Sequence, residues 1–324
     1  MKTVSVTLAA LAGSLALALP TELAERQAAQ PRVQSTTVFP RTFTFLSNFS
    51  LVDPALYPVL QRYTRFAVAA LATFTFNLGT CPSPPFKSTL VKTVNNLVTD
   101  TQAAIFRDDT AKELILSFPG TASVQDFVTD FVFVPLNQTT ATGCTDCRVH
   151  GGFYTAWRSI ADEVTTALAD LRAQNPGYNT IITGHSLGGA IATLAYTDLK
   201  AANVPVQTAY TMGSPRVGNP TYADFNDRLS GASDTNLGTL IRITHNVDGV
   251  PGLPSQAMGF QHSRTEIYEL DNAAGTQAPE TTFRCFGQEA ADCNRGTATG
   301  FINQDHLVYT GVQMTDGAEC ANAS

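Results

Sequence analysis

The stretch from Ile181 to Ala190, Ile-Ile-Thr-Gly-His-Ser-Leu-Gly-Gly-Ala, constrains this chain more than any other. A run rich in β-branched residues, Thr180 to Thr183, stops abruptly at Gly184, and small and apolar residues at helical spacing follow from Ala190 to Leu199. That order predicts a strand, a tight turn and a helix. A Gly-x-Ser-x-Gly pattern in this setting has a mechanical reason: the serine sits on a sharp, strained turn with its hydroxyl exposed, and only glycines let strand and helix backbones pass so close. Ser186 is therefore a candidate nucleophile. An ordinary Gly-rich loop is the alternative, and the flanking strand and helix argue against it.

The rest of the pattern repeats strand and helix. Asp53 to Leu78 carries apolar residues near a helical period, and Thr101 to Phe106 with Glu113 to Phe118 read as a hairpin turning at residues 107–110. A helix is expected over Phe153 to Ala173, ended by Pro176 and Gly177. Strands follow at Thr208 to Met212, Thr239 to His245 and Arg264 to Leu270, with a helix over 220–230 between the first two. Such alternation signals a largely parallel sheet covered on both faces, and no repeat or second domain is visible. With 324 residues, 44% hydrophobic and 15% charged, the chain suits one large α/β core. A net charge of −7 without a basic stripe to neutralise phosphates argues against a nucleic-acid binder.

Met1 and Lys2 precede an uncharged run from Thr3 to Leu19 with Ala16-Leu17-Ala18 near its end, the layout of a secretory signal peptide. The run is short for a membrane anchor. The expected organisation is a signal peptide over 1–18, a pro-segment or loose arm over 19–35, and one domain over 36–324, exported and without a transmembrane anchor. Cys81, Cys144, Cys147, Cys285, Cys293 and Cys320 are an even set, and export makes disulfides the default. Cys144 and Cys147 could also form a redox or zinc pair, but no second pair stands at metal spacing. Many connectivities are open; the simplest joins 144 to 147 and 285 to 293, leaving Cys81 for Cys320. Asn48, Asn137 and Asn322 begin glycosylation triplets.

A serine nucleophile needs a base, and the base an orienting acid; in this kind of fold they come in the order Ser, acid, His. That order leaves His262 and His306 of the five histidines, and His306, on a late irregular loop before an expected closing helix, is preferred. Asp248 heads the acids because it follows an apolar strand and precedes Gly249 and, two residues further on, Pro251; Asp224, Asp227 and Asp234 are rivals that look solvated. Pro119-Gly120-Thr121, directly after a strand, offers backbone N–H groups for an oxyanion, though on local sequence alone a plain turn is the better reading. After it, Val124, Phe127, Val128 and Phe131 lie at helical spacing beside polar Ser123, Gln125, Asp126, Thr129 and Asp130. Taken by itself this run is a core-packed helix; next to an anion site it is a candidate lid.

These segments together resemble the fungal class 3 lipases of filamentous fungi and the related type A feruloyl esterases. The resemblance rests on Ser117 to Thr121, Cys144 to Cys147 with His150 to Phe153, Thr183 to Gly189, Gly213 to Asn219, Arg242 to Pro251, and Asp305-His306. It implies an α/β-hydrolase fold with a short helical lid over Ser123 to Phe131, Ser186 as nucleophile, Asp248 as acid, His306 as base, and Thr121 and Leu187 as oxyanion donors. It implies the same disulfide pairing and needs no metal or other cofactor. The family often has Arg where this chain has Pro119, so a lid contact made by that arginine is missing. The apolar lid face favours acylglycerols at a lipid–water interface; a feruloyl or other soluble-substrate esterase, or a non-catalytic secreted binding module, are the alternatives.

Overall fold

Nine strands make up the main sheet among the residues described in this computed structural model, which are 49–120, 135–137, 141–298, 302–315 and 317–320. All of them fall within one contact unit, Leu46–Ser324. In chain order, β1 (Phe49–Leu51) is followed by α1 (Leu56–Thr75), β2 (Thr89–Asn96), β3 (Thr101–Asp108), β4 (Glu113–Phe118), β5 (Pro135–Asn137) and β6 (Arg148–His150). Then come α2 (Gly151–Gln174), β7 (Asn179–His185), α3 (Leu187–Ala201), β8 (Thr208–Met212), α4 (Pro220–Ser230) and β9 (Leu240–His245). The chain finishes with β10 (Glu266–Glu269), β11 (Thr282–Cys285), α5 (Asn294–Thr297), β12 (Val308–Tyr309) and β13 (Val312–Gln313).

The sheet order is β1-β11-β10-β9-β8-β7-β4-β3-β2, with β4, β7, β8, β9 and β10 parallel and the outer strands antiparallel. Successive residues of a strand face opposite ways, so buried strands need apolar side chains at every position. Ile115 and Ile181 accordingly pack with Leu60 and Phe66 of α1, while their neighbours Leu116 and Ile182 pack with Trp157 of α2 and Leu194 of α3. This is the covered, mostly parallel sheet of the α/β-hydrolase type.

Local chemistry sets the helix limits. The His150 ring accepts from the Phe153 N–H at 3.3 Å and starts α2 two residues before the expected Phe153. Asn219 caps α4 by accepting from Tyr222 N–H at 3.0 Å, Pro220 fits its first turn, and Gly231 ends it in the left-handed region at φ 73°. The disulfides are Cys81–Cys320, Cys144–Cys147 and Cys285–Cys293. One expectation fails: among the described residues no closing helix follows His306. The His306 turn (Gln304–Leu307) leads into the hairpin β12–β13, then a short 3-10 turn, Gly317–Cys320. Cys320 reaches Cys81 within that turn, and Gly311 at φ 72° supplies the hairpin bend that a helix would not allow.

Candidate active site

The carboxyl ends of the parallel strands gather the candidate residues, where loops of an open parallel sheet place their ligand-binding groups. Ser186 follows β7 with φ 57° and ψ −125°, a strained conformation for a residue with a Cβ. Its N–H donates to the Met212 carbonyl at 2.9 Å. The turn is as tight as the sequence requires. A Cβ on Gly184 would come 2.3 Å from the Gly188 carbonyl oxygen, and one on Gly188 would come 2.2 Å from that of Phe118. The backbones of β4, β7 and α3 thus meet at two glycines. Ser186 is fully buried, contrary to the expected exposed hydroxyl, and its Oγ has no hydrogen-bond partner. As the first residue of α3, Leu187 has an N–H without an intrahelical acceptor.

Asp248 and His306 are brought together. Both side chains are fully buried, and His306 Nδ1 donates to Asp248 Oδ2 at 2.8 Å. The same oxygen accepts from the Tyr309 hydroxyl, and Oδ1 accepts from Val250 N–H at 2.9 Å. Burial pushes the Asp248 carboxyl up, but the His306 ring and these hydrogen bonds outweigh it and hold the group below the usual carboxylate range. His306 Nε2 has no partner, so the hydrogen bond between Ser186 and His306 is not formed in this structure. The ring nevertheless stands at the elbow: a Cβ on Gly213, the residue after the carbonyl that anchors Ser186, would lie 3.0 Å from its Nδ1, and it lies 4.6 Å from the His185 ring centroid to centroid. Burial keeps His185 neutral, with its pKa near 3, and its Nε2–H donates to the His306 carbonyl at 2.8 Å.

The rivals sit elsewhere. His262 donates from Nε2 to the Pro251 carbonyl, and burial beside Arg242 and Arg216 holds it neutral. Asp227 and Asp234 are engaged by Arg264, and Asp224 by Gln288. Arg216 grips Glu289 at 2.7 Å together with the carbonyls of Gly252 and Pro254, which fixes the turn after Asp248. Thr121, the lid residues Ser123, Val124, Phe127, Val128 and Phe131, and Asn48 and Asn322 lie outside the described residues, as do the signal peptide and arm. Asn137 is exposed on β5. Sequence reasoning missed Tyr309, since no spacing rule ties it to a carboxylate 61 residues away. It also missed Asn294, whose amide donates to the Asp248 carbonyl at 3.0 Å.

Glu269 lies at the back of the site. It is fully buried, one oxygen accepts from Thr310 N–H at 2.9 Å, and the other has no partner. Burial raises its pKa to about 7. The fold therefore favours the protonated acid, and the stability this confers is full below the unfolded value and lost as pH rises through about 7. Glu269→Gln, neutral throughout, escapes that loss. Thermal melts of the two proteins are expected to diverge in favour of the variant by about 2–3 kcal/mol between pH 5 and pH 8. An unchanged difference across that range would show that Glu269 does not titrate there.

Among known proteins, the sequence profile of the family described as Lipase (class 3) matches residues 115–258. The chain is 34% identical over 217 residues to the secreted mono- and diacylglycerol lipase A of Penicillium cyclopium, covering 66% of this chain and 68% of that one. It is 34% identical over 269 residues to the secreted mono- and diacylglycerol lipase 1 of Fusarium solani, covering 82% and 75%. Among solved structures, a triacylglycerol lipase described as having a serine protease triad at its catalytic centre superposes with a TM-score of 0.71 at 27% identity, over 84% of this chain and 100% of that one.

Proposed function

The chain belongs to the class 3 lipase family and is a carboxylic-ester hydrolase, and from that premise we propose that it is a secreted triacylglycerol lipase working through Ser186, Asp248 and His306. One observation carries the reading: two buried groups, Ser186 Oγ and His306 Nε2, are left without partners at one end of the sheet, while Nδ1 of the same ring is committed to a buried carboxylate. A buried polar atom without a partner costs about 1–3 kcal/mol, which a chain retains where function requires it.

In the proposed mechanism His306 Nε2 takes the Ser186 proton as Oγ attacks the ester carbonyl carbon. Asp248, accepting from Nδ1, fixes the tautomer and stabilises the imidazolium that forms. The carbonyl oxygen becomes an oxyanion that the N–H groups of Leu187 and Thr121 receive; loss of one such donor costs about 10²–10³-fold in rate. His306 returns the proton to the departing alcohol. Water then attacks the acyl-enzyme by the same route and releases the fatty acid and free Ser186. The scheme uses no metal or organic cofactor.

Two features support action at a lipid surface. Ser186 is fully buried, so a substrate reaches it only after part of the protein moves, and the amphipathic sequence over residues 122–132 fits a lid that turns its apolar face to lipid. The turn between β2 and β3 presents Leu97 and Val98, 83% and 95% exposed. Because β3 runs antiparallel to β4, with Ala104 opposite Ser117, that turn lies at the same end of the sheet as Ser186. Export is supported by two relatives that are themselves named secreted, and no described helix is long and apolar enough to cross a membrane.

Initial rates on emulsified long-chain triacylglycerol, on mono- and diacylglycerols and on methyl ferulate test the substrate class. Triacylglycerol is expected to be hydrolysed, with a rise in rate as the substrate passes from monomer to emulsion. Preference for methyl ferulate would make the protein a soluble-substrate esterase, confinement to partial glycerides would remove the triacylglycerol assignment, and no turnover of any ester would leave only a binding module.

A further inference from the structure

Behind the acid and base stands a second histidine–aspartate pair. His245 ends β9, three residues before Asp248, and its ring is buried. Nδ1 lies 2.9 Å from the carbonyl oxygen of Asp305, the residue before His306, and Nε2 lies 3.0 Å from Asp271 Oδ1. The Asp305 carbonyl cannot donate, so Nδ1 carries a hydrogen and donates to it, while Nε2 faces the Asp271 carboxylate. Burial disfavours a charged ring, but Asp271 and Asp305 outweigh it and raise the pKa. Tyr309 and Glu269 also face the ring, Glu269 from the register position opposite it on β10. The Gln277 amide nitrogen, which donates to the same Asp271 oxygen, stands 3.0 Å from Nε2.

The two loops are joined at further points. Val247 N–H donates to Asp305 Oδ2 at 3.1 Å, and the Asn303 amide donates to the Val247 carbonyl at 2.6 Å. Residues 245–247 are thus tied to residues 303–305 by hydrogen bonds immediately before the two loops deliver Asp248 and His306. The bond from His245 Nδ1 falls on the peptide unit joining Asp305 to His306.

We propose that His245 is a positioning residue for ester hydrolysis, its Nδ1–H holding the Asp305 carbonyl so that His306 Nε2 meets the Ser186 hydroxyl. The inference rests on the Ser-Asp-His reading. Displacement of a reacting group by about 1 Å can cost about 100-fold in rate without affecting how substrate binds.

Two amide substitutions of equal charge test it. The amide nitrogen of His245→Asn stands where Nδ1 stood and keeps the donor to Asp305, whereas that of His245→Gln reaches the Nε2 position and serves only Asp271. On a soluble p-nitrophenyl ester, kcat is expected to stay within about fivefold of wild type in the Asn variant and to fall about 100-fold in the Gln variant, with KM unchanged in both. Phosphonylation of Ser186 by a fluorophosphonate should slow in parallel. Equal kcat in the two folded variants, or a loss that tracks a lowered Tm in both, would overturn the proposal. A folded Asn variant that loses about 100-fold would overturn it as well, even if the Gln variant fails to fold. Failure of wild type itself to take the phosphonate at Ser186 would instead remove the Ser-Asp-His reading beneath it.

Discussion

Asp248→Asn is expected to lower kcat by about 10⁴-fold, because every partner of this carboxylate is a donor. Oδ2 receives His306 Nδ1–H and the Tyr309 hydroxyl, and Oδ1 receives Val250 N–H. An amide brings two hydrogens of its own, so whichever way it is turned it sets an N–H against a donor. If the –NH₂ faces His306, the ring escapes the conflict by moving its proton to Nε2, and a protonated Nε2 cannot accept from Ser186. If it faces Val250, a buried N–H loses its acceptor at a cost of about 1–3 kcal/mol. The variant should therefore be both slow and less stable. Steady-state kinetics on a soluble ester, with a thermal melt on the same sample, check the two parts; a folded Asn variant retaining a tenth or more of wild-type kcat, a figure set against the ~10⁴-fold expected, would remove Asp248 from the mechanism.

The larger loss is expected for Ser186→Ala, about 10⁶-fold in kcat with the fold retained. Alanine keeps a Cβ and so meets the same strain at φ 57°, and the anchor from the 186 N–H to Met212 is a backbone bond that survives. What disappears is a buried hydroxyl without a partner, so the variant should be as stable as wild type or slightly more so. Activity remaining within tenfold of wild type, where about 10⁶-fold is expected to be lost, would place the nucleophile elsewhere.

Legibility of this chain in its sequence followed the physics of each element. The segment 179–201 was readable because a β-branched run, two glycines at a backbone crossing and a helix of small residues each signal the same turn. Buried parallel strands such as Leu240–His245 showed as apolar runs for a similar reason: both faces are covered. Edge strand Thr89–Asn96 went unread, since its mixed Thr, Lys and Asn positions face partly outward and break the alternation. The hairpin Val308–Tyr309 and Val312–Gln313 stands where the sequence predicts a helix, because two-residue strands have no period to detect. At the site, residues in short ordered motifs could be picked out, and Asp248 and His306 do meet. The groups that hold them could not: Tyr309 on Asp248, His185 on the His306 carbonyl and His245 on Asp305 depend on loops converging in space, which no local pattern encodes. The burial of Ser186 belongs to the same class, because coverage is a property of distant chain.

Covalent trapping of the intact protein tests the central claim most directly. Incubation with an alkyl fluorophosphonate, followed by intact mass and peptide mapping, should add a single phosphonyl group, located on Ser186, as ester hydrolysis falls to zero in proportion, with Ser186→Ala left unmodified. Modification at another residue, or full ester turnover persisting in protein phosphonylated at Ser186, would contradict it.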